Sequence, residues 1–350
     1  MAYRAWRNRR LFASPLGTIL FLVLAATALP ERAARAQCYP GLACPPDQAP
    51  ATPPRQAPNS HIAMEVPESF TPSDRFSGFV DDKSGASLLV VEMPAVAYDE
   101  VKIIGDKVDA LAQKGIIETK KVELSGRTGE YVFITGKQKT ASGDYSKYIM
   151  VARENGLTMM ITANVPQKSM DTNLVSAEAI ERAFATASVK AEIVKGAELF
   201  TLSYLGPFKE TLSLMGHSKV YSLSGKVPEP GAAKAAEEPI FVVSPSVDKG
   251  SLPDAKTAAT NSFRTMANLS GHEVKSEKDV TVGGLKGYEI VGEGDDPKTG
   301  LRSGLYVVLL LGSGGGYYVM AGLAPATGMP AYLPEFQKIA MSFAPKPAAQ

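Results

Sequence analysis

Residues of the types that carry chemistry are scarce in this 350-residue chain, which has two cysteines, three histidines and one tryptophan. His61, His217 and His272 are far apart, so no pair of them has metal-ligand spacing. Two cysteines without nearby histidines cannot form a structural zinc site, and no Gly-x-Ser-x-Gly nucleophile elbow occurs. The sequence therefore predicts no catalytic residue, no metal site and no cofactor.

Three short motifs have a chemical interpretation that their surroundings do not favour. One pair of motifs resembles the active-site motifs of penicillin-binding proteins: Ser246-x-x-Lys249 followed by Lys298-Thr299-Gly300. The middle Ser-x-Asn motif of that set is missing. The glycine-rich run 312–316 has strands on both sides, whereas a phosphate cradle opens onto a helix. The acidic cluster at 293–296 lacks calcium-loop spacing. A glycine-rich hairpin and an exposed turn are the favoured interpretations of the last two.

The first 36 residues have the order of a cleavable signal peptide. Four arginines lie in the first ten residues, an uncharged stretch runs from Leu11 to Pro30, and Ala34-Arg35-Ala36 is a small-x-small site. We expect cleavage after Ala36 and a periplasmic protein. An uncleaved anchor is the alternative, but the apolar part from Ile19 to Leu29 is short for a bilayer. Because Arg9-Arg10 also resembles a twin-arginine signal, the export route is left open.

The predicted mature chain is mildly acidic. Removing residues 1–36 leaves 31 basic and 35 acidic residues, a net charge of −4, and takes away the single tryptophan, Trp6. This balance gives no electrostatic reason to bind nucleic acid or anionic lipid. No second apolar run approaches membrane-spanning length, so we expect no integral span in the mature form.

The two cysteines lie in a linker, residues 37–60, that is rich in proline. In an oxidising periplasm, a small disulfide loop between Cys38 and Cys44 is the expected state. A lipid anchor on Cys38 is the alternative. The preceding Arg35-Ala36-Gln37 does not resemble the small-residue signal that such an anchor needs.

After the linker, two stretches, 61–192 and 193–346, repeat one order of elements, which indicates gene duplication. The first stretch predicts, in order, a strand at Ser87–Met93, a helix at Asp99–Lys114, strands at Ile116–Leu124, Glu130–Thr135, Tyr145–Arg153 and Leu157–Asn164 with an Asn155-Gly156 hairpin, and a helix led by Ser176. The second predicts a strand at Ile240–Val243, a helix at Pro253–Leu269, strands at Tyr288–Gly292, Leu305–Leu311 and Tyr317–Leu323, and a closing helix that contains Phe336 and Ile339.

The second stretch resembles the PsbP-like domain. The resemblance rests on Gly284-x-x-Gly287-Tyr288, a hairpin, two long strands, a proline and a closing helix that ends at Ser342-Phe343. That fold is shared by an extrinsic photosystem subunit, a nuclear regulator of the Ran GTPase and many exported bacterial proteins. The resemblance implies an α+β chain of two tandem α/β/α sandwich domains, each an antiparallel sheet flanked by helices. Residues 198–238 depart from the pattern, and no catalytic residue comes with the family.

These observations favour a non-enzymatic periplasmic protein that binds another envelope protein or complex. A carrier of an apolar or lipid-like ligand is the alternative, because Met159-Met160 and Tyr317-Tyr318 occupy matching strand positions and could line a cavity. Strand alternation puts only one residue of each pair inward, which favours ordinary core packing. An unrecognised hydrolase is a further alternative, and it needs a polar constellation in a cleft.

The N-terminal prediction is tested on protein purified from its own periplasm. We expect N-terminal sequencing to begin at Gln37, because Ala34 and Ala36 supply the small residues that signal peptidase selects. The intact mass should rise by about 2 Da on reduction, because each disulfide removes two hydrogens when it forms. A mature chain that begins at Cys38 with a lipid attached would contradict both expectations.

Overall fold

The computed structural model describes residues 53–112, 115–140, 143–214, 216–226, 238–247, 249–250, 252, 254–266, 269–296 and 300–346. The predicted signal peptide and the Cys38–Cys44 disulfide lie outside the described residues. Within the described ranges, no helix is long and apolar enough to cross a membrane.

Strands make up most of the regular secondary structure of the described residues. The strands of the first half are β1 (Arg55–Gln56), β2 (Ser60–Met64), β3 (Thr71–Pro72), β4 (Gly78–Asp81), β5 (Ala86–Pro94), β6 (Ile116–Lys121), β7 (Glu130–Thr140), β8 (Gly143–Glu154), β9 (Leu157–Pro166) and β10 (Ser188–Val194). The strands of the second half are β11 (Phe200–Leu202), β12 (Lys209–Leu214), β13 (Ser218–Ser222), β14 (Ile240–Pro245), β15 (Ser270–Val282), β16 (Leu285–Asp295), β17 (Arg302–Leu311), β18 (Tyr317–Pro325) and β19 (Phe343–Pro345).

The helices are short and connect or cover the sheets. They are α1 (Tyr98–Val101), α2 (Val108–Ala112), α3 (Gln167–Asp171), α4 (Ala177–Ala185), α5 (Ala255–Thr265) and α6 (Met329–Met341), with 3-10 turns at Ala95–Ala97 and Lys102–Asp106.

Two antiparallel seven-stranded sheets with the same strand order dominate the fold. The first sheet runs β3-β4-β5-β9-β8-β7-β6, and the second runs β12-β13-β14-β18-β17-β16-β15, so each strand of one has a counterpart at the same place in the other. The predicted mixed α and β chain with two antiparallel sheets is therefore confirmed at this level. The domain boundaries at 61–192 and 193–346 stay a prediction, although each large sheet falls within one of them.

Both faces of each sheet are apolar, because the central strands are buried on both sides. In the first sheet, β9 is buried at every position except its two ends. One face, the closing-helix face, packs Phe133 against Phe184 of α4 with their ring centroids 5.1 Å apart. The opposite face packs Leu89 and Met160 against Tyr98 of α1, and we call it the joint face because it also contacts the second half. Helical segments therefore lie on both sides of this sheet.

The second sheet is covered in the same way. Phe336 of α6 lies on its closing-helix face among aromatic rings, 5.7 Å from Phe241 and 6.4 Å from Tyr306 between centroids. Phe263 of α5 packs on the other face with Ile290. Each sheet thus has two hydrophobic covers.

Several sequence predictions are confirmed in detail. Asn155 and Gly156 have φ of 47° and 80°, the positive values that a type I′ hairpin turn needs. Ser176 caps α4, because its hydroxyl accepts a hydrogen bond from the Ala179 backbone N–H at 3.1 Å.

The prediction of one continuous helix at Asp99–Lys114 is wrong, because the structure has two short helices, α1 and α2, in this segment. A 3-10 turn replaces its centre, and Lys107 has a non-helical φ and ψ of −107° and 58°. The segment contains β-branched residues, which lower helix propensity. Gly105 also lies so close to the sheet that a Cβ on it would meet Val132 at 2.6 Å. Tertiary packing against β7 therefore decides the local conformation.

The end of the predicted linker is structured. Arg55 and Gln56 form β1, Ala57 is fully buried, and the Arg55 guanidinium donates hydrogen bonds to the Phe70 and Pro67 carbonyls at 2.6 and 2.7 Å. The last residues of the predicted linker therefore pack against the first half.

The sequence patterns do not predict β15. This 13-residue strand is exposed at nearly every position and pairs only with β16 among the described strands. Its register shifts twice, between Ser270 and Glu273 and between Val274 and Ser276. Because neither face is buried, it has no apolar alternation to recognise.

Arg127 ties the turn between β6 and β7 to the end of α4. Its side chain is 5% exposed, and its guanidinium donates to the carbonyls of Phe184 and Ala187 at 3.2 and 2.7 Å. It also lies 3.4 Å from the Glu154 carboxylate. This arginine therefore satisfies the carbonyl groups that a helix leaves open at its C-terminus.

We predict that Arg127→Ala lowers the free energy of unfolding by about 2–3 kcal/mol, because the carbonyl of the buried Ala187 loses its charged donor. Urea unfolding measures the change. The matched control is Arg264→Ala, which removes an exposed arginine from α5 and should change stability by less than about 0.5 kcal/mol. Equal losses in the two variants would contradict the capping role.

Candidate functional site

The four side chains proposed to line a ligand cavity lie in hydrophobic cores. Met159 and Met160 of β9 are both 0% exposed and belong to opposite faces of the first sheet. In the second sheet, Tyr318 packs on the closing-helix face, and Tyr317 packs on the α5 face. The expectation that only one residue of each pair points inward is wrong, because both faces of each sheet are covered.

The two halves meet at a contact that we call the joint, formed by residues 58–59 and 74–77 of the first half and 216–220, 246–247 and 249 of the second. Its polar part centres on Arg75, whose guanidinium donates to the Ser246 carbonyl at 3.1 Å and to the Ser246 hydroxyl at 2.8 Å. The same guanidinium lies 5.8 Å from the centroid of the Tyr318 ring. Lys249 and Asp74 form an ion pair at 2.8 Å.

The joint also has an apolar part. Val220 of β13 and Val247 belong to the hydrophobic cluster on the joint face of the first sheet, together with Phe76 and Leu89. Each valine is at most 8% exposed. The second half therefore completes the core of the first.

Ser246 and Lys249 act within the joint. The Ser246 hydroxyl receives hydrogen bonds from Arg75 and from the Tyr317 backbone N–H, at 2.8 and 3.0 Å. The ammonium group of Lys249 binds Asp74. This arrangement holds the two halves together and does not prepare the serine as a nucleophile. The third element of the motif includes residues 298–299, which lie outside the described residues.

A row of polar side chains crosses the joint face of the first sheet. Lys147 of β8 donates to the side-chain carbonyl of Asn164 on β9, and the Asn164 amide group lies 3.3 Å from the Ser87 hydroxyl on β5. The three residues are cross-strand neighbours and are each at most 4% exposed. We call this set the polar row.

Lys147 is the chemically unusual member of the polar row. Burial lowers its pKa to about 8, because removal from water disfavours the ammonium form. It lies on the same face of β8 as the buried Ile149 and Val151, because side chains two positions apart on a strand point the same way. A lysine at an inward position is the signal that sequence analysis missed.

Ser60, His61 and Glu92 have the residue types of a hydrolytic triad without its connectivity. The Ser60 hydroxyl donates to the Glu92 carboxylate at 2.5 Å, and His61 Nδ1 lies 2.9 Å from the same carboxylate. In a triad the histidine contacts the nucleophile and the carboxylate contacts only the histidine. Here the carboxylate binds both, and Ser60 is 1% exposed. The cluster therefore anchors β2 to β5.

Arg302 occupies the acidic cluster near the second hairpin. Its guanidinium reaches Glu293, Asp295 and Glu273 at 2.6, 3.0 and 2.6 Å. These carboxylates thus have a cationic partner already. Among the described residues, no group of three or more His, Cys, Asp or Glu side chains is placed to hold a metal ion.

The glycine-rich run 312–316 forms a turn between β17 and β18, as predicted. Gly315 and Gly316 have φ of 90° and 70°, and the Gly312 backbone N–H donates to the Gly316 carbonyl at 2.9 Å. The Gly316 N–H donates to the Gly250 carbonyl at 3.2 Å, so this hairpin packs against the segment that follows Ser246.

No protein-family model and no curated protein matches this sequence. Solved structures show weak likeness. LpqN of Mycobacterium tuberculosis, described as involved in cell envelope biogenesis, is 13% identical, with a TM-score of 0.34 over 42% of this chain and 83% of its own. The immunity protein TplEi of the Pseudomonas aeruginosa T6SS is 12% identical, with a TM-score of 0.28 over 85% of this chain and 99% of its own.

The cyanobacterial PsbP of Synechocystis is 14% identical, with a TM-score of 0.25 over 43% of this chain and 99% of its own. All three TM-scores are below 0.5, so no argument about function is built on these likenesses.

We predict that Lys147→Met stabilises the protein at pH 7 by about 2 kcal/mol. The difference between an ordinary lysine pKa of 10.5 and the value of about 8 corresponds to about 3 kcal/mol, and the lost hydrogen bond to Asn164 offsets about 1 kcal/mol. Because the folded state disfavours the ammonium form, this destabilisation is complete below pH 8 and disappears as the pH rises from 8 to 10.5.

Urea unfolding at pH 7 and pH 10 checks this expectation, with the exposed Lys120→Met as the matched control. The control should change stability by less than about 0.5 kcal/mol at either pH. A Lys147→Met variant that is less stable than the wild type at pH 7 would show that the lysine supports the fold.

Proposed function

We propose that this chain is a non-enzymatic protein of the bacterial periplasm whose two PsbP-like units together bind another envelope protein. The signal-peptide pattern of residues 1–36 supports the location, and the repeated turn and strand pattern supports the family. The shared strand order of the two sheets supports a duplicated unit.

The joint is the observation that carries this proposal. Arg75 with Ser246, and Val220 and Val247 in the core of the first half, hold the two sheets in one mutual orientation. Two surfaces fixed on one chain can engage one partner together, because the second contact then forms at a high effective concentration. A partner of this kind is recognised by the pair and binds each unit alone far more weakly.

The carrier alternative has less support, because the side chains proposed for it are part of the packing of both sheets. Met159 and Met160 contact opposite cores of the first sheet, and Tyr318 packs its ring 4.9 Å from Phe343. A bound apolar ligand would have to displace these contacts.

We predict that a specific envelope protein is recovered with the wild-type chain after crosslinking in cells and affinity purification, and that Val247→Asp lowers this recovery at least tenfold. The carboxylate would be buried at a position 8% exposed in the core of the first half, which opposes closure of the joint. Quantitative mass spectrometry of the purified material measures the recovery.

The matched control is Lys249→Ala, which removes an exposed joint ion pair that contributes about 0–1 kcal/mol and should leave recovery unchanged. Circular dichroism shows whether both variants keep their sheets. Recovery of no specific partner by the wild type would reject the binding proposal. A lipid-sized mass retained in native mass spectrometry would support the carrier function in its place.

A further inference from the structure

His217 lies inside the joint. It follows Gly216, whose backbone is so close to the first half that a Cβ would meet the Ser77 hydroxyl at 2.1 Å and Asn59 at 2.8 Å. His217 is 4% exposed, and its Nε2 atom has no hydrogen-bond partner among the described residues. The ring is therefore held in a tight, water-poor place between the two halves.

Two charged groups act on His217 in opposite directions, and the one that opposes its protonation has the larger effect. Arg75 and Asp74 of the first half act on the ring, and Asp74 is already paired with Lys249. Lys219, two residues along the chain, binds Glu198 and Glu210 at 3.9 and 3.3 Å. A proton on His217 would thus place a buried positive charge beside the partly buried guanidinium of Arg75.

Burial, followed by the charge of Arg75, lowers the pKa of His217 to about 4, while Asp74 acts weakly in the opposite direction. Arg75 cannot turn away without losing its two hydrogen bonds to Ser246. The same side chain therefore closes the joint and makes it intolerant of a protonated histidine.

We propose that the joint is an acid-sensitive latch, which holds the two sheets together at neutral pH and opens, with both sheets still folded, when His217 takes up a proton. This proposal concerns the joint itself and does not depend on the partner-binding function proposed above.

The sheets can remain folded because three of the four hydrophobic cores, those that contain Phe184, Phe336 and Phe263, are each built from residues of one half. Among the described residues, three valines of the second half, Val220, Val247 and the partly buried Val242, cross into the core of the first. Opening separates these valines from the first half and leaves the cover of Phe184 on one sheet and Phe336 on the other in place.

The size of the effect follows from proton linkage. In the open form the exposed ring regains the ordinary histidine pKa of about 6.5, so acid favours the open form below that pH. With a closed-form pKa of about 4, the open-to-closed ratio rises about 30-fold between pH 7.5 and pH 5, and about 150-fold by pH 4.

The test uses a thiol at the joint. Val220→Cys, in a chain where Cys38 and Cys44 are replaced by Ser, is reacted with 4,4′-dithiodipyridine from pH 7.5 to pH 4. The rate, divided by the rate of the unfolded chain at the same pH, measures the fraction of open joint even when opening is rare. We expect this normalised rate to rise about 30-fold from pH 7.5 to pH 5, and Val247→Cys, the second joint position, to behave alike.

Three matched variants decide the outcome. Val307→Cys, which lies in the core of the second sheet, should stay protected at pH 5, whereas an equal rise there would mean that acid unfolds the sheets. His217→Phe added to Val220→Cys should abolish the pH dependence, and His272→Phe should preserve it. A flat pH profile for both joint positions in the wild-type background, or an unchanged profile in His217→Phe, would overturn the proposal.

Discussion

Burial on both faces of the central strands is the constraint on which this structure depends. A strand such as β9, apolar at consecutive positions, needs hydrophobic cover above and below the sheet. The chain supplies α4 and α6 for one face of each sheet, and α1 and α5 for the other. Where the short helices of the first half end, Val220 and Val247 of the second half continue the cover. The contact between halves is therefore an extension of core packing. The hydrogen bonds from Arg75 to Ser246 fix the orientation of one half relative to the other.

Lys147 departs from the same constraint. It occupies an inward position among apolar side chains, and its single described hydrogen bond goes to the neutral amide of Asn164. In the second sheet Pro325 pairs with Ser303 as Pro166 pairs with Tyr145 in the first, so Leu305 stands at the place of Lys147. The two units thus differ in one buried lysine, which we expect to weaken the fold of the first. This difference makes the polar row the most distinctive chemistry of the first half.

The elements that could be predicted from sequence are those whose signals are local. Asn155-Gly156 and Ser176 act through their own backbone geometry, and the apolar runs of β5, β9 and β17 are visible without tertiary information. The broken helix around Gly105 depends on Val132, which is distant in sequence, and β15 has no buried face to produce a pattern. The joint lies beyond such reasoning, because Arg75 and Ser246 are 171 residues apart and neither belongs to a motif that requires the other.

The exposed edge strand β15 has a consequence for behaviour at high concentration. Open sheet edges invite strands of other molecules to join them, which is a route to fibres. Glu273, Lys275 and Lys278 on β15 are engaged in ion pairs with the chain's own side chains, and the two register shifts bend the strand away from the straight geometry that stacking needs. A neighbouring copy that tried to pair there would have to break those ion pairs and straighten the bulges. This edge of the second sheet is thereby protected against edge-to-edge polymerisation.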